Sequence, residues 1–456
     1  MLILRVKKMI IGLVIFLVAF VVRFVVWIYP GIGWDRLTIY DVQLYTDYGK
    51  EMIAALSKWD FAKFASINVG VPPLGTLLVG LCEAIFDSLL ESCKAGLLAP
   101  IIASSLTAIL IYLILYKFSS KVALISSFLF GLDPYLIQFS GAYLDSIGTF
   151  FIMAAMLLFT NFKKTSKNIL IVGFFFMLSI LTKFTFAVFT MFFITLLILL
   201  KKDYWSAGMI LVLSLSSIFL LPWIWFPSAR QEAIVHHTSM NSLLPPIIFG
   251  PMIIGVPESY PWYFLTYFGL GQVFWNTLPS ISHILLLPSL LVSFMRKELN
   301  LDDALLLFVA ASILSIVFIP RNYWTYEWGM GFAKGEGVLF KQFYPYYFYF
   351  PNVIAGMISC KLLIDRKGFR ELSCRELALV IPLIVYALTS PLAFVMNLYY
   401  PYWDFIFTLI LNYSKGDSPM AYSGYVAFMV TLILSIFISS TSLLITVKQI
   451  RAKCTK

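Results

Sequence analysis

Apolar runs of about 20 residues recur along the chain, and a helix of that length crosses roughly 30 Å of hydrocarbon at about 1.5 Å per residue. In lipid such runs have to be helical, because nothing there pairs with an open backbone N–H or C=O. Of the 456 residues 61% are apolar and only 12% are charged. Soluble domains carry about 25% charge, so this chain has too little polar surface to be covered in water. Spans are predicted near 9–29, 97–116, 121–137, 146–160, 168–182, 184–200, 206–226, 278–295, 303–319, 345–363, 376–396 and 421–445. The expected fold class is all-α and polytopic, with about 12 transmembrane helices. Much of the aromatic content sits near the ends of these runs, where Trp and Tyr favour the membrane interface.

The net charge of +10 follows from cytoplasmic loops collecting Lys and Arg. No soluble basic domain is present, so nucleic acid is not an expected partner. Arg5, Lys7 and Lys8 precede the first run, which is too long for a signal-peptide core. With the N-terminus inside and the spans alternating, about 21 of the 33 basic residues fall inside, the direction the positive-inside rule requires. This threading needs Val71–Phe86 not to cross, since a crossing there would move every later basic loop to the other side. Residues 30–96 are then a long extracytoplasmic loop carrying juxtamembrane helices. The expected organisation is a transmembrane module over 1–226, an extracytoplasmic aromatic loop over 227–277 and a C-terminal transmembrane region over 278–456. The cysteines Cys82, Cys93, Cys360, Cys374 and Cys454 have no metal-type spacing. Cys82 and Cys93 could pair, but free buried thiols are the simpler expectation.

The first outer loop holds the most informative polar residues. Asp41, Tyr45 and Tyr48 are spaced to share one helical face. Aromatic rings stack on sugar faces, and a carboxylate can take a proton from a hydroxyl nucleophile. The same residues also fit a solvated loop with interfacial tyrosines. Asp47 is the competing carboxylate, about 120° round the helix from Asp41. Val71-Pro-Pro-Leu-Gly75 suits a helix start. Asp145, after Leu144, would open a span, where the helix dipole favours a carboxylate. Lys183 lies between two runs on the outer side, where an anionic partner, a lipid phosphate or a nearby carboxylate, accounts for a lysine; ordinary interfacial snorkelling is the plainer alternative. The sequence shows no evident structural partner for it. Arg321 and Lys341 lie in an outer segment rich in glycine and aromatics that could bind a phosphate. His236 and His237, near Glu232, read as polar contacts, since adjacent histidines seldom share one metal; a divalent metal is possible chemistry but has no support in the sequence. Trp262, after Pro261, reads as an aromatic anchor or a sugar platform.

In order, these segments resemble the GT-C class of membrane glycosyltransferases, in particular the dolichyl-phosphate-mannose–protein mannosyltransferases and the bacterial lipid A aminoarabinose transferases. That family has an acidic motif in the first outer loop, a PPLG-type helix, a Leu-Asp, a Thr-Lys between spans and a Pro-Trp loop after the seventh span. Here these are Asp41 with Tyr45 and Tyr48, Val71–Gly75, Leu144-Asp145, Thr182-Lys183 and Pro261-Trp262. The resemblance covers roughly residues 1–280. The chain departs from the family at Val42, where a paired acid is usual, at Val71, where His is usual before Pro-Pro, and in lacking an Arg shortly before Leu-Asp.

The resemblance implies a multi-pass membrane enzyme with its site on the extracytoplasmic or lumenal face. It would transfer a monosaccharide, mannose on dolichyl phosphate, from a lipid-linked donor to a hydroxyl of a protein, lipid or glycan. Asp41 would act as base in an inverting displacement. Lys183, Arg321 and Lys341 would hold the donor phosphate, and Tyr45, Tyr48, Asp145, His236, His237 and Trp262 the sugar or acceptor. A transporter or lipid flippase is the rival reading; it calls for charges at mid-span and repeated halves, and Arg23 is the main charge so placed.

In a cysteine-free chain, Ser57→Cys and Ser92→Cys are both expected to react with an impermeant thiol reagent from outside. Reaction at position 57 alone would mean that Val71–Phe86 crosses.

Overall fold

The computed structural model describes residues 2–28, 39–67, 71–90, 94–133, 136–137, 139–141, 144–161, 165–231 and 349–364. The regular elements there are all helical: α1 Leu2–Ile28, α2 Ile39–Ser57, α3 Phe61–Ser66, α4 Pro73–Phe86, α5 Leu98–Tyr116, α6 Ser120–Leu132, α7 Asp145–Asn161, α8 Ser166–Thr182, α9 Thr185–Lys201, α10 Tyr204–Ser216 and α11 Tyr349–Ile364. Two 3₁₀ turns, Ser217–Leu220 and Pro222–Ile224, follow α10. Eight predicted spans coincide with helices to within a few residues, although the seventh splits into α10 and the two 3₁₀ turns. The spans at 278–295, 303–319, 376–396 and 421–445 lie outside the described residues. Lys8–Val25 and Leu98–Tyr116 are long and apolar enough to cross a membrane; the other apolar helices are shorter.

The bundle is apolar outside as well as in its core, and that core also buries hydroxyl groups. Met9, Ile10, Leu13, Val14, Leu17, Val21 and Val25 of α1 are all exposed, at spacings that draw one stripe down the helix. Ser104, Ser105, Thr107, Ser179 and Thr190 are fully buried. Several of these hydroxyls donate back to their own helix, as Ser105 does to Ile101 O at 2.7 Å and Thr190 to Phe186 O at 2.8 Å. An apolar stripe of that length facing out is what a lipid solvent allows and water does not.

Contacts at the helix ends fix an alternating arrangement. At one end Lys8 lies over the Tyr116 ring, 3.8 Å from its centroid, and Lys361 over the Phe118 ring at 3.9 Å. Lys117 donates there to Thr160 O. At the other end Trp27 Nε1 donates to Ile137 O at 2.8 Å, tying the end of α1 to the connection between α6 and α7. Lys8 of α1, Lys117 after α5 and Lys361 of α11 thus gather at one end, and the α2–α4 segment lies at the other.

Arg23 is fully buried and its partners are protein. Its Nε donates to Ser104 Oγ at 2.7 Å, and its guanidinium donates to Gly131 O at 2.7 Å, Ala19 O at 3.1 Å and Phe130 O at 3.3 Å. Carbonyls at the end of α6 carry the negative pole of that helix, which suits a cation. Ser104 Oγ also shares a 2.6 Å hydrogen bond with Tyr349 Oη, so the arginine network reaches α11. This network braces the helices against one another.

Between α1 and α5 the chain folds as α2 laid on α4. At the crossing Gly49 and Gly80 are in backbone contact: a Cβ on Gly80 would stand 2.2 Å from the Gly49 carbonyl carbon. Beside it the fully buried Glu83 pairs with Lys50 at 2.9 Å and accepts the Gly96 N–H at 2.6 Å, joining α2, α4 and the approach to α5. α4 has 14 residues, about 21 Å at the α-helical rise and short of the hydrocarbon thickness. α2 ends in a Schellman arrangement: Asp60 N–H bonds Ala55 O at 2.9 Å and Trp59 N–H bonds Leu56 O at 3.0 Å. The left-handed position is Trp59, at φ 57°, where a side chain costs about 1–2 kcal/mol and glycine is usual.

Gly80→Ala is expected to destabilise the protein by about 1–3 kcal/mol, the range for overpacked sites, seen as a lower thermal midpoint in detergent. An unchanged midpoint would mean that the helices do not touch through their backbones.

Candidate active site at the loop end of the bundle

Segments far apart in sequence meet where α4 begins. Pro73 opens α4 in the position that tolerates a missing N–H. Gly75, two residues on, faces Leu144 and Thr182; a Cβ there would lie 2.9 Å from Thr182 Cγ2 and 3.1 Å from Leu144 Cδ1. Only a residue without Cβ lets α4 approach so closely. Leu144 is buried with Val79, Ala103 and Ile147, and Tyr45 and Val71 pack against that cluster. Leu74 packs on a second cluster holding Leu181 and Trp223, together with Phe184. The Val71–Gly75, Leu144-Asp145 and Thr182-Lys183 segments and Tyr45 therefore form one locus.

At its centre is an ion pair. Lys183 Nζ donates to Asp145 Oδ2 at 2.6 Å, with 12% and 4% of the two side chains exposed. Asp145 is the first residue of α7 and Lys183 follows the last residue of α8. A carboxylate at a helix N-terminus and a cation at a C-terminus each suit the local dipole, so the pair is favoured by both helices as well as by charge. The sequence allowed either a phosphate or a carboxylate as the partner of Lys183, with no structural partner evident; the structure supplies the carboxylate.

The other predicted residues are placed as follows. Asp41 is in the first turn of α2, one turn before Tyr45. Asp47 is exposed. Tyr45 and Tyr48 are each half-buried, but Tyr48 packs on Met52, Ala55 and Ile67 in a cluster separate from that of Leu144. Arg321, Lys341, His236, His237 and Trp262 lie outside the described residues. No group of three or more metal-ligating side chains occurs among the described residues. Cys82 is a free thiol, and burial raises its pKa, which makes it a poor nucleophile at neutral pH.

Sequence reasoning missed Glu83, Lys50 and Trp223. Glu83 had a signal, as a lone acid in the apolar run of α4. So had Trp223, which follows Pro222 at the end of the seventh span and meets the Phe184 ring edge-on at 6.3 Å. That Pro-Trp, beside Lys183, lies nearer the locus in sequence than Pro261-Trp262.

Residues 70–226 match the model of the dolichyl-phosphate-mannose-protein mannosyltransferase family. That stretch holds every segment of the locus except those on α2. Among solved structures, the chain is similar to ArnT from Cupriavidus metallidurans bound to undecaprenyl phosphate, at 14% identity over 95% of this chain and 77% of that one, with a TM-score of 0.48. It is also similar to the apo form of the same protein, at 13% identity over 94% and 77%, with a TM-score of 0.46. The Archaeoglobus fulgidus oligosaccharyltransferase in its apo form is similar at 13% identity over 92% of this chain and 59% of that one, with a TM-score of 0.49. No curated protein matches.

Removing one member of the Asp145–Lys183 pair leaves the other charge buried alone, a loss of about 3–5 kcal/mol. Asp145→Ala is therefore expected to destabilise more than the double variant Asp145→Ala/Lys183→Met. Strictly additive thermal shifts would mean that the two groups are uncoupled.

Proposed function

We propose that this chain is a polyprenyl-phosphate-sugar-dependent glycosyltransferase, with its catalytic module over residues 1–226 and its site on the extracytoplasmic or lumenal face. The observation that supports it most is the meeting of Tyr45, Gly75, Leu144-Asp145 and Thr182-Lys183 at one end of the bundle, within and beside the stretch that matches the mannosyltransferase family model. Lys8, Lys117 and Lys361 lie at the opposite end, and the positive-inside rule favours that end as the cytoplasmic one.

In this reading the donor is a monosaccharide, mannose in the first instance, on dolichyl or another polyprenyl phosphate. The polyprenyl phosphate is the leaving group, so no nucleotide is needed. Asp41 takes the proton of the acceptor hydroxyl as its oxygen attacks the anomeric carbon. The bond from that carbon to the phosphate oxygen breaks, with inversion. The departing phosphate gains charge, and cations fixed in a dry site stabilise it most.

Lys183 is a cation at the locus, and its pairing has a consequence. With Asp145 it forms a neutral unit, so it cannot alone balance a phosphate. A second cation is required, and Arg321 or Lys341 fills that role. Asp145 then acts as a positioning residue that keeps the ammonium at the mouth of α8. Tyr45 lies one turn from Asp41 and is the better placed of the two tyrosines to flank the sugar. The acceptor is a hydroxyl of a protein, lipid or glycan.

Asp41→Asn preserves size and loses the base. It is expected to lower transfer from a labelled lipid donor at least about 100-fold, while donor binding and expression persist; Asp47→Asn should lose much less. A dead Asp47→Asn would move the base assignment, and two active variants would end the catalytic reading of α2. Lys183→Ala is expected to lose roughly 10- to 150-fold, the value of a charge-assisted contact. Its thermal midpoint has to be measured alongside, because the same change unpairs Asp145.

A further inference from the structure

The elbow between α2 and α3 carries the segment Lys58-Trp59-Asp60-Phe61-Ala62-Lys63. Trp59 is 79% exposed and Phe61 47%, and their rings meet edge-on at 6.0 Å. Lys58 and Lys63 are exposed on either side. The turn is rigid: two Schellman hydrogen bonds close α2, and Asp60 Oδ1 caps α3 by accepting the Lys63 N–H at 2.9 Å. Within it Trp59 holds a left-handed backbone that a large side chain disfavours. The fold thus keeps an aromatic side chain facing outward at a position where glycine would sit more easily.

A second exposed aromatic set lies at the same end of the bundle. Phe219, Leu220 and Trp225 are 63%, 52% and 65% exposed. Trp225 Nε1 is satisfied by Phe219 O at 2.7 Å. Ala65 of α3 packs with Trp223 between these residues, which joins the elbow to the end of α10. Along α10 the exposed surface continues as Val212, Leu215 and Ile218. An apolar flank that ends in aromatics, next to an elbow whose aromatics are bracketed by lysines, matches the chemistry of a headgroup layer: rings at the interface, hydrocarbon on one side and anionic phosphates on the other.

We propose that the α2–α3 elbow is a membrane-interface anchor, with Trp59 and Phe61 seated in the headgroup layer at the loop end of the bundle and Lys58 and Lys63 against anionic lipid. Because α2 is rigidly joined to α4 at Gly49 and Gly80, the anchor fixes the depth of positions 41–48 relative to the bilayer. The anchor does not depend on the transferase reading, and its test uses no donor.

Two measurements on the full chain in phosphatidylcholine–phosphatidylglycerol vesicles test it. In the first, the emission lost on Trp59→Phe isolates the signal of Trp59. That signal is expected to be quenched by lipids brominated near the headgroup end of the acyl chain and not by aqueous iodide. Quenching by iodide would show a solvated elbow, and quenching by neither would show a protein partner; both would overturn the anchor. In the second, an environment-sensitive dye is placed on Ser57→Cys in a cysteine-free chain. Adding Trp59→Gly should shift its emission to the red while leaving the thermal midpoint equal or higher, since glycine suits that backbone. Unchanged emission in a stable Trp59→Gly protein would overturn the anchor, and no folding defect could account for that result.

Discussion

A solvent that cannot hydrogen-bond dictates most of this architecture. Lipid requires each backbone group to be paired within its own helix, and it lets large apolar side chains stay outside. The exposed stripe of α1 and the buried serines and threonines of α5, α8 and α9 are two sides of that constraint. With apolar surface outside, the helices are held to one another by what lipid does not offer: small-residue contacts, inward hydroxyls and shared charges. The Arg23 network shows the principle. A cation that would be costly in hydrocarbon is satisfied by helix-end carbonyls and Ser104, and it draws α1, α5, α6 and α11 together.

The site is built in the same way. Two glycine contacts bring α2, α4, α7 and α8 close enough for their polar residues to meet, and the Glu83–Lys50 and Asp145–Lys183 pairs lock that geometry. Asp145–Lys183 is nearly buried, whereas Glu83 is buried and Lys50 reaches solvent; each pair sits where helix ends or backbone N–H groups add to the pairing. Such pairs add less stability than specificity of arrangement. Their charges cancel locally, so in the proposed function an anionic donor calls for a further cation.

A catalytic loop on a membrane protein has to be fixed in two frames, that of the protein and that of the bilayer. Gly49–Gly80 and Glu83–Lys50 fix the first. The aromatic elbow, held outward against its own backbone preference, supplies a means for the second. Both belong to the same short stretch between α1 and α5, whose composition differs most from the apolar runs.

The positions of the helices were legible in the sequence because the length of an apolar run is a local property, scored window by window against a fixed bilayer thickness. The spacing of Asp41, Tyr45 and Tyr48 was compatible with the helix α2 for the same reason, through a short period, although Tyr45 and Tyr48 pack in separate clusters. What the sequence could not decide were pairings between distant positions. Lys183 was visible as a lysine needing an anion, but its carboxylate lies 38 residues away. Arg23 was visible as an oddity, but its serine lies 81 residues away and two of its three carbonyls more than 100. Gly49 and Gly80 carried no signal singly, since each matters only as the space the other occupies. Helix identity was set by the chain's exchange with lipid; the site was set by close packing, which only the tertiary structure could assign.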